Sequence, residues 1–230
     1  MKVIVPLAGP DYFVGESPKG LIPTPNGPLL LATLKTRPWY SIVPSSDYSF
    51  VLLDQSASRS FYANHLSKWF PGCAVAFLGQ PARGAAVTAS IGAAAVLEDP
   101  EVPLIVDLAD IQFSSSYVPF AGENDGSTAA VGFSFESSLG CYSYFSLAKD
   151  GLTVLGAEEK KVISKHASAG VYAFRSVIVM MRAMANVFEK GDRYICNNVY
   201  YVCPLFNGVV EAGLKAVISP VSDVFDIKSH

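Results

Sequence analysis

The sequence predicts an α/β fold in which a mixed, mainly parallel sheet lies between two layers of helices. Short apolar strands alternate with helical segments along the first 110 residues. One apolar run, at 104–106, ends in the carboxylates Asp107 and Asp110. Alternating strands and helices favour parallel βαβ units with right-handed crossovers. Ligands of such sheets bind at the carboxyl ends of the strands, so these aspartates indicate where a site would lie.

Strand and helix patterns can be assigned in order through the first half. Strands are predicted where apolar residues run together, and helices where apolar residues recur at helical spacing or where alanine dominates. The predicted elements are a strand at 2–7, a helix at 29–36, a strand at 50–53, a helix at 57–69, a strand at 74–78, a helix at 85–97 and a strand at 104–106.

The pattern changes after about residue 128. Short strands are predicted at 131–135, 142–147 and 152–157, with a hairpin turn at Lys149-Asp150-Gly151. The remaining elements are a strand at 169–174, a helix at 176–188, a helix at 198–212 that Pro204 would kink, and a closing strand at 214–218. The change divides one predicted domain, 1–230, into halves at 1–127 and 128–230.

Composition limits the classes of protein. Half of the 230 residues are apolar and 16% are charged, which allows a sizeable core and a buried homo-oligomer interface. The net charge of −3, without a basic block, does not favour nucleic acid or a membrane as partner. The apolar run after Met1 is too short for a secretory signal, so a cytoplasmic location is expected. Four cysteines without CxxC spacing indicate reduced thiols.

Asp107 and Asp110 have two interpretations from the residues alone. Carboxylates at the end of a parallel strand suit Mg²⁺ or Mn²⁺ that carries a nucleotide phosphate. The alternative is that Asp107 caps the strand end and Asp110 is a solvated loop residue, because loops favour aspartate for turn chemistry.

Six segments carry a resemblance to a known family. They are MKVIVPLAGPDYFVGESPKGLIPTPNGPLL, GQPARGAA, PLIVDLADIQF, GAEEK, HASAGVYAFRS and VFDIKSH, in this order. Together they resemble the sugar-phosphate nucleotidyltransferases, or nucleoside-diphosphate-sugar pyrophosphorylases, over nearly the whole chain. The resemblance implies a Rossmann-like three-layer sandwich, shared with GT-A glycosyltransferases. It also implies a reaction that joins a nucleoside triphosphate to a sugar 1-phosphate and releases pyrophosphate.

The resemblance also implies site residues, by position in these segments. The residues implied to bind nucleotide are Leu7, Ala8, Gly9, Lys19, Gln80, Gly84 and Asp110. The residues implied to bind the sugar phosphate are Gly140, Glu159, Lys160 and Gly170. Lys19, Asp110 and Asp226 would be catalytic, and the two aspartates would hold Mg²⁺ or Mn²⁺. The ordinary alternatives are a solvated loop lysine at Lys19, a turn residue at Gln80, a frayed tail at Asp226, a solvated charge cluster at Glu159 and Lys160, and turn glycines at Gly140 and Gly170.

One departure from the family pattern bears on activity. The family's loop runs Gly-x-Gly-x-Arg, and an ungapped alignment places Asp11 at the second glycine and Phe13 at the arginine. An acid there repels a triphosphate, and the missing guanidinium removes a bidentate donor. Arg83 could supply the cation from the neighbouring loop, although an ordinary surface residue at a helix start is the alternative. Otherwise nucleotide binding is altered or catalysis is lost.

Three functional hypotheses therefore stay open. The first is an active nucleotidyltransferase that makes an activated sugar or related phosphate ester for surface-polysaccharide synthesis. The second is a non-catalytic binding or regulatory module on the same fold, which the altered loop supports. The third is a GT-A-type glycosyltransferase that uses a nucleotide sugar. The Pro-Lys segment around Lys19 favours the first over the third.

Overall fold

The computed structural model describes residues 1–10, 12–14, 17–122 and 126–227. The strands within these ranges are β1 (Lys2–Pro6), β2 (Phe13–Val14), β3 (Ser17–Pro18), β4 (Pro23–Thr24), β5 (Gly27–Pro28), β6 (Tyr48–Leu53), β7 (Ala74–Leu78), β8 (Leu104–Asp107), β9 (Ile111–Ser114), β10 (Thr128–Glu136), β11 (Tyr144–Leu147), β12 (Val154–Glu158), β13 (His166–Phe174), β14 (Lys215–Pro220) and β15 (Ser222–Asp226). The α-helices are α1 (Leu29–Lys35), α2 (Ser56–Phe61), α3 (Ser67–Trp69), α4 (Ala85–Ala94), α5 (Val177–Glu189) and α6 (Leu205–Glu211).

Nine strands form one large mixed sheet. The path runs β12-β11-β13-β8-β1-β6-β7, and β10 pairs with both β13 and β14. The pairs β8–β1, β1–β6 and β6–β7 are parallel, whereas β13 pairs antiparallel with β8, β10 and β11. The predicted mixed α/β sheet is confirmed, with parallel pairing in the first half of the chain and mostly antiparallel pairing in the second.

Helices cover both faces of this sheet. Consecutive residues of β1 are fully buried but belong to different core clusters, because side chains along a strand point to opposite faces. Val3 and Val5 pack in the cluster that contains Leu30 of α1. Ile4 packs in the cluster that contains Met180 of α5. The predicted three-layer arrangement is therefore confirmed.

Small residues let α4 lie close to the sheet. A Cβ on Gly92 would lie 2.5 Å from Ile4 Cγ2 and 2.9 Å from Val51 Cγ2, so only glycine fits without displacing the strands. Ala89 is fully buried on the same helix. This packing holds α4 against β1 and β6.

Two predicted helices differ from the observed ones. The predicted helix at 198–212 is wrong over its first part, because α6 begins only after Pro204, which lacks the N–H that a helix interior needs. Asn197 and Asn198 instead take left-handed conformations, with φ of 51° and 62°. The predicted helix at 57–69 is interrupted, since a π-helical turn, Tyr62–Leu66, joins α2 to α3. No helix in the described ranges combines the length and hydropathy needed to cross a membrane.

A two-stranded pair at the carboxyl edge was not predicted. β9 and β15 lie outside the large sheet and pair antiparallel with each other. The paired residues are far apart in sequence: the ladder partners Ser114 and Ser222, for example, are separated by 108 positions. Local patterns carry no signal for such a contact. The pair brings the end of the chain to the carboxyl end of β8.

Candidate functional site

Asp107 ends β8 in a buried ion pair. Its carboxylate accepts hydrogen bonds from Arg37 at 2.7 Å (Nε to Oδ2) and 3.0 Å (Nη2 to Oδ1), and both side chains are fully buried. Arg37 Nη2 also donates to the Ile111 carbonyl at 2.9 Å. The guanidinium carbon lies 4.2 Å from the centre of the Phe113 ring. Asp107 is therefore a structural residue at the strand end, in agreement with its ordinary interpretation.

The turn after Asp107 presents Asp110. Ala109 has a φ of 54°, and its N–H donates to Asp107 Oδ1 at 2.9 Å. Asp110 then lies against Gly170 of β13, where an added Cβ would be 2.5 Å from Asp110 Oδ1. Gly170 has a φ of 72°, which also favours glycine. The resemblance implied that Gly170 binds the sugar phosphate, and the structure shows that the Asp110 carboxylate lies beside its Cα.

Asp226 reaches the same edge through β15. In the β9–β15 ladder Asp226 is the partner of Ile111, the residue after Asp110. The N–H of Ile227 donates to the Asp110 carbonyl at 3.1 Å. The Tyr142 hydroxyl donates to Asp226 Oδ2 at 2.6 Å. The middle of the chain and its C-terminal segment thus bring Asp110 and Asp226, the two predicted metal ligands, to the same edge of the sheet.

These donors fit one kind of metal. Within the described ranges no group of three or more His, Cys, Asp and Glu side chains could hold an ion. Mg²⁺ needs only one or two carboxylates, because waters and substrate phosphates complete its octahedron. Asp110 and Asp226 therefore suit Mg²⁺ or Mn²⁺ bound together with a phosphate ligand, and they do not suit a protein-only cage.

The Glu-Lys segment lies at the end of β12. Glu159 accepts a hydrogen bond from the Ser143 hydroxyl. Lys160 is exposed and has a φ of 52°, and its Nζ donates to the Tyr201 hydroxyl at 3.3 Å. That hydrogen bond raises the pKa of Lys160, which is therefore a cation at neutral pH. Gly140 is exposed in the loop between β10 and β11, and the space beside it is open.

Tyr172 connects the aspartate edge with Glu159. Its pKa is raised well above the ordinary value, first by burial and further by the charges of Glu159 and Asp110. Ser168 Oγ lies 2.8 Å from the Tyr172 hydroxyl, with which it forms a hydrogen bond. The charges of Glu159 and Asp110 thus act on the same buried hydroxyl.

Two short strands that follow β1, β2 and β3, form a hairpin. β2 and β3 pair antiparallel, with Phe13 opposite Pro18. The Tyr12 hydroxyl is buried and lies 2.6 Å from where a Cβ on Gly20 would be. Lys19, half-buried at the start of a 3-10 turn, donates its N–H to the Tyr12 carbonyl at 2.8 Å. The hairpin thus fixes the backbone on which Phe13 and Lys19 lie.

Phe13 lies on the wall of a groove at the carboxyl end of β6. The groove has a volume of about 690 Å³ and is lined by Pro10, Phe13, Leu53, Gln55, Ser56, Ala57 and Ser60. Leu7 and Ala8 are buried, and the Leu7 N–H donates to the Val51 carbonyl at 2.8 Å. Gly9 is half-buried and its carbonyl accepts from Tyr12. Asp11, which the alignment placed at a phosphate position, lies outside the described residues.

The loop at 196–201 packs against the start of α4. Arg83 Nε donates to the Asn198 carbonyl at 3.0 Å, and a second guanidinium nitrogen donates to Asn198 Oδ1. The Tyr200 carbonyl accepts from the Ala86 N–H at 3.1 Å. A Cβ on Gly84, whose φ is 110°, would lie 2.3 Å from that carbonyl. Gly84 therefore admits the protein's own backbone, at a position that the resemblance assigned to nucleotide binding.

Sequence reasoning missed this loop because a helix was assigned there. The Asn-Asn pair at 197 and 198, followed by Pro204, was the available signal, since asparagine tolerates left-handed conformations and proline starts helices. Gln80 lies on the neighbouring segment and is exposed.

Comparisons with known proteins identify the fold. No protein-family model matches the chain, and no curated protein sequence does. A nucleoside-diphosphate-sugar pyrophosphorylase from Vibrio cholerae RC9 matches 98% of this chain and 95% of its own, with a TM-score of 0.82 and 17% identity.

Two further solved structures have the same fold. The inositol-1-phosphate CTP transferase from T. maritima matches 97% of this chain and 86% of its own, with a TM-score of 0.69 and 12% identity. A UDP-glucose pyrophosphorylase in complex with UDP-glucose matches 98% of this chain and 92% of its own, with a TM-score of 0.64 and 13% identity. The chain has the fold of these nucleotidyltransferases from end to end.

Proposed function

We propose that this protein is a nucleotidyltransferase. It transfers the nucleoside monophosphate of a nucleoside triphosphate to a sugar 1-phosphate or a similar phosphate ester. A phosphate oxygen of the acceptor attacks the α-phosphorus, a new P–O bond forms, the bond between the α-phosphorus and the bridging oxygen breaks, and pyrophosphate leaves with that oxygen. Such chemistry depends on the positioning of two anions and the neutralisation of their charge.

The observation that carries the proposal is the pairing of β9 with β15. It sets Asp226 opposite Ile111, the residue after Asp110, at the carboxyl edge of the sheet. The two aspartates therefore lie on neighbouring segments although they are far apart in sequence. Mg²⁺ bound there would neutralise charge on the triphosphate.

The residues proposed to bind the nucleotide lie in the first half of the chain, and those proposed to bind the acceptor lie in the second half. In the first half, Lys19 would neutralise the α-phosphate, and Gln80 would read the base, since its amide both donates and accepts. In the second half, Glu159 would bind sugar hydroxyls and Lys160 the acceptor phosphate. A neighbour of the same fold is named for inositol 1-phosphate, which supports including acceptors other than sugars. A cytoplasmic role in polysaccharide precursor synthesis would suit such a reaction.

A non-catalytic module that binds nucleotide or sugar is the second candidate. The observation that favours it is Phe13, an aromatic ring on the groove wall where the family has an arginine. Arg83, the proposed substitute, is bonded to Asn198 through two of its nitrogens. A triphosphate would need to compete with Asn198 for this guanidinium.

A thermal-shift screen tests nucleotide binding, which both candidate functions include. Each common nucleoside triphosphate is added with Mg²⁺ at up to a hundred times its dissociation constant, which stabilises a protein by about 2.7 kcal/mol. For a chain of this size that corresponds to a rise in Tm of about 5–10 °C. The matched control replaces Mg²⁺ with EDTA. A shift with one base that EDTA abolishes supports the proposal, and no shift with any triphosphate contradicts it.

A further inference from the structure

We propose that Tyr142 is a positioning residue for the metal site, which it serves through its hydrogen bond to Asp226. The inference rests on the proposed function, because it takes Asp226 to be a metal ligand. Tyr142 itself would touch neither the metal nor the substrates. No motif of the sequence pointed to this residue.

The hydrogen bond is short and joins distant parts of the chain. The Tyr142 hydroxyl lies 2.6 Å from Asp226 Oδ2, and the two residues are 84 positions apart. Asp226 lies on β15, whose ladder partner β9 is outside the large sheet. Tyr142 comes from the loop at 137–143, which joins two strands of the large sheet. The hydroxyl therefore links the carboxylate on the small ladder to the loop between β10 and β11 of the large sheet.

The ring of Tyr142 is held in place by its surroundings. It packs edge-to-face on Phe135, with 5.2 Å between ring centres and an angle of 78° between planes. The Leu139 carbonyl accepts hydrogen bonds from the Tyr142 N–H at 3.4 Å and from the Tyr144 hydroxyl at 2.7 Å. A donor with so little freedom can hold a carboxylate in one orientation.

Orientation of a carboxylate matters for a metal with strict geometry. Mg²⁺ demands near-ideal octahedral coordination. Hydrogen bonds to ligating side chains orient those side chains, and losing such a bond costs about 10–100-fold in metal affinity. A hydroxyl that served only to pack the loop would have no such effect on the metal.

Tyr142→Phe and Tyr144→Phe form a matched pair of variants. Each removes one hydroxyl from the same short segment, but the Tyr144 hydroxyl bonds to a backbone carbonyl. Binding of Mn²⁺ is measured by electron paramagnetic resonance of the free ion, with the triphosphate from the thermal screen and no acceptor. Tyr142→Phe is expected to weaken Mn²⁺ binding about 10–100-fold. Tyr144→Phe is expected to stay within about threefold of wild type, since it leaves Asp226 untouched.

Asp226→Asn completes the test. If Tyr142 acts through Asp226, adding Tyr142→Phe to Asp226→Asn should change Mn²⁺ affinity by less than about twofold, because effects through one shared contact are not additive. Equal Mn²⁺ affinity in wild type and Tyr142→Phe would overturn the inference and leave the proposed function standing. Equal losses in both tyrosine variants would assign the effect to the loop and also overturn it. A wild type that binds no Mn²⁺ would overturn the inference and the proposed metal-dependent function together.

Discussion

Arg37 holds both ends of the turn that presents Asp110, because it pairs with Asp107 before the turn and bonds to the Ile111 carbonyl after it. Both charged side chains are fully buried. The pair therefore links core stability to the geometry of the candidate site. Removal of either partner would leave a buried charge without compensation.

Arg37→Met should be strongly destabilising. Breaking a buried ion pair by removing one partner costs about 3–5 kcal/mol in the free energy of unfolding. The measurement is urea denaturation of the variant and wild type. Arg59→Met is the matched control, because Arg59 forms the same kind of bidentate pair with Asp54 on the surface. It should leave the midpoint near that of wild type, and equal losses in both variants would contradict this account of the turn.

Gly170→Ala should lower metal-dependent turnover more than it lowers stability. A φ of 72° costs a residue with a Cβ about 1–2 kcal/mol. The new Cβ would also lie 2.5 Å from Asp110 Oδ1 and displace it. Since small misplacements in a site can cost about 100-fold in rate, metal-dependent turnover should fall about 10–100-fold.

Gly151→Ala separates the backbone cost from the displacement of Asp110. Gly151 has a φ of 71°, but nothing lies within 4 Å of an added Cβ. This variant should lose similar stability in the same denaturation measurement and keep its turnover. If both variants kept full turnover, the contact between Gly170 and Asp110 would have no bearing on activity.

Asp150 should contribute to stability in a defined range of pH. Hydrogen bonds, first from the Thr153 hydroxyl and then from the N–H groups of Leu152 and Thr153, lower the pKa of Asp150 to about 2 from its ordinary 3.8. A carboxyl whose pKa is lower in the folded state stabilises the fold above its unfolded pKa, and this is lost as pH falls through the folded value. The difference in Tm between wild type and Asp150→Asn should therefore be constant above about pH 5 and shrink between about pH 4 and pH 2. A difference that grew in that range would refute the assignment.

Arg83→Ala tests whether Arg83 replaces the missing loop arginine. A hydrogen bond to a charged group is worth about 1.5–3 kcal/mol, and each 1.36 kcal/mol is tenfold in rate, so turnover should fall several-fold to a few hundredfold. Asn198→Ala is the control, because it removes one partner of Arg83 and keeps the cation. Equal effects of the two variants would indicate that Arg83 acts only by anchoring the loop at 196–201.

Phe13→Arg tests the alternative that the protein is a non-catalytic binding module. In an inactive binding module, this substitution restores the missing charge beside the groove at the end of β6. Triphosphate affinity, measured by calorimetry, should then rise. An unchanged affinity would show that the loss of arginine is not what limits nucleotide binding.

The fold could be predicted because its signals are local. The buried strand β1 and the alanine-rich α4 follow directly from apolar runs and small residues. The helix before Gly213 was predicted too long, because the asparagine pair at 197 and 198 and the proline at 204 were not used as signals for a loop before its start.

The candidate site could be predicted only where motifs carry it. Asp110 and Asp226 were proposed as metal ligands from their sequence surroundings, and the β9–β15 ladder sets Asp226 opposite Ile111, the residue after Asp110. Tyr142 and Arg37 were missed, because their importance depends on partners 84 and 70 positions away. No period or spacing in the chain encodes these contacts.

Release of pyrophosphate tests the central claim most directly. Wild type and Asp110→Asn are incubated with Mg²⁺, the triphosphate identified by thermal shift, and a panel of acceptors that contains sugar 1-phosphates and inositol 1-phosphate. The account predicts acceptor-dependent pyrophosphate release by wild type, and its abolition in Asp110→Asn with an unchanged Tm. No release with any pair by folded wild type, or full release by Asp110→Asn, would contradict it.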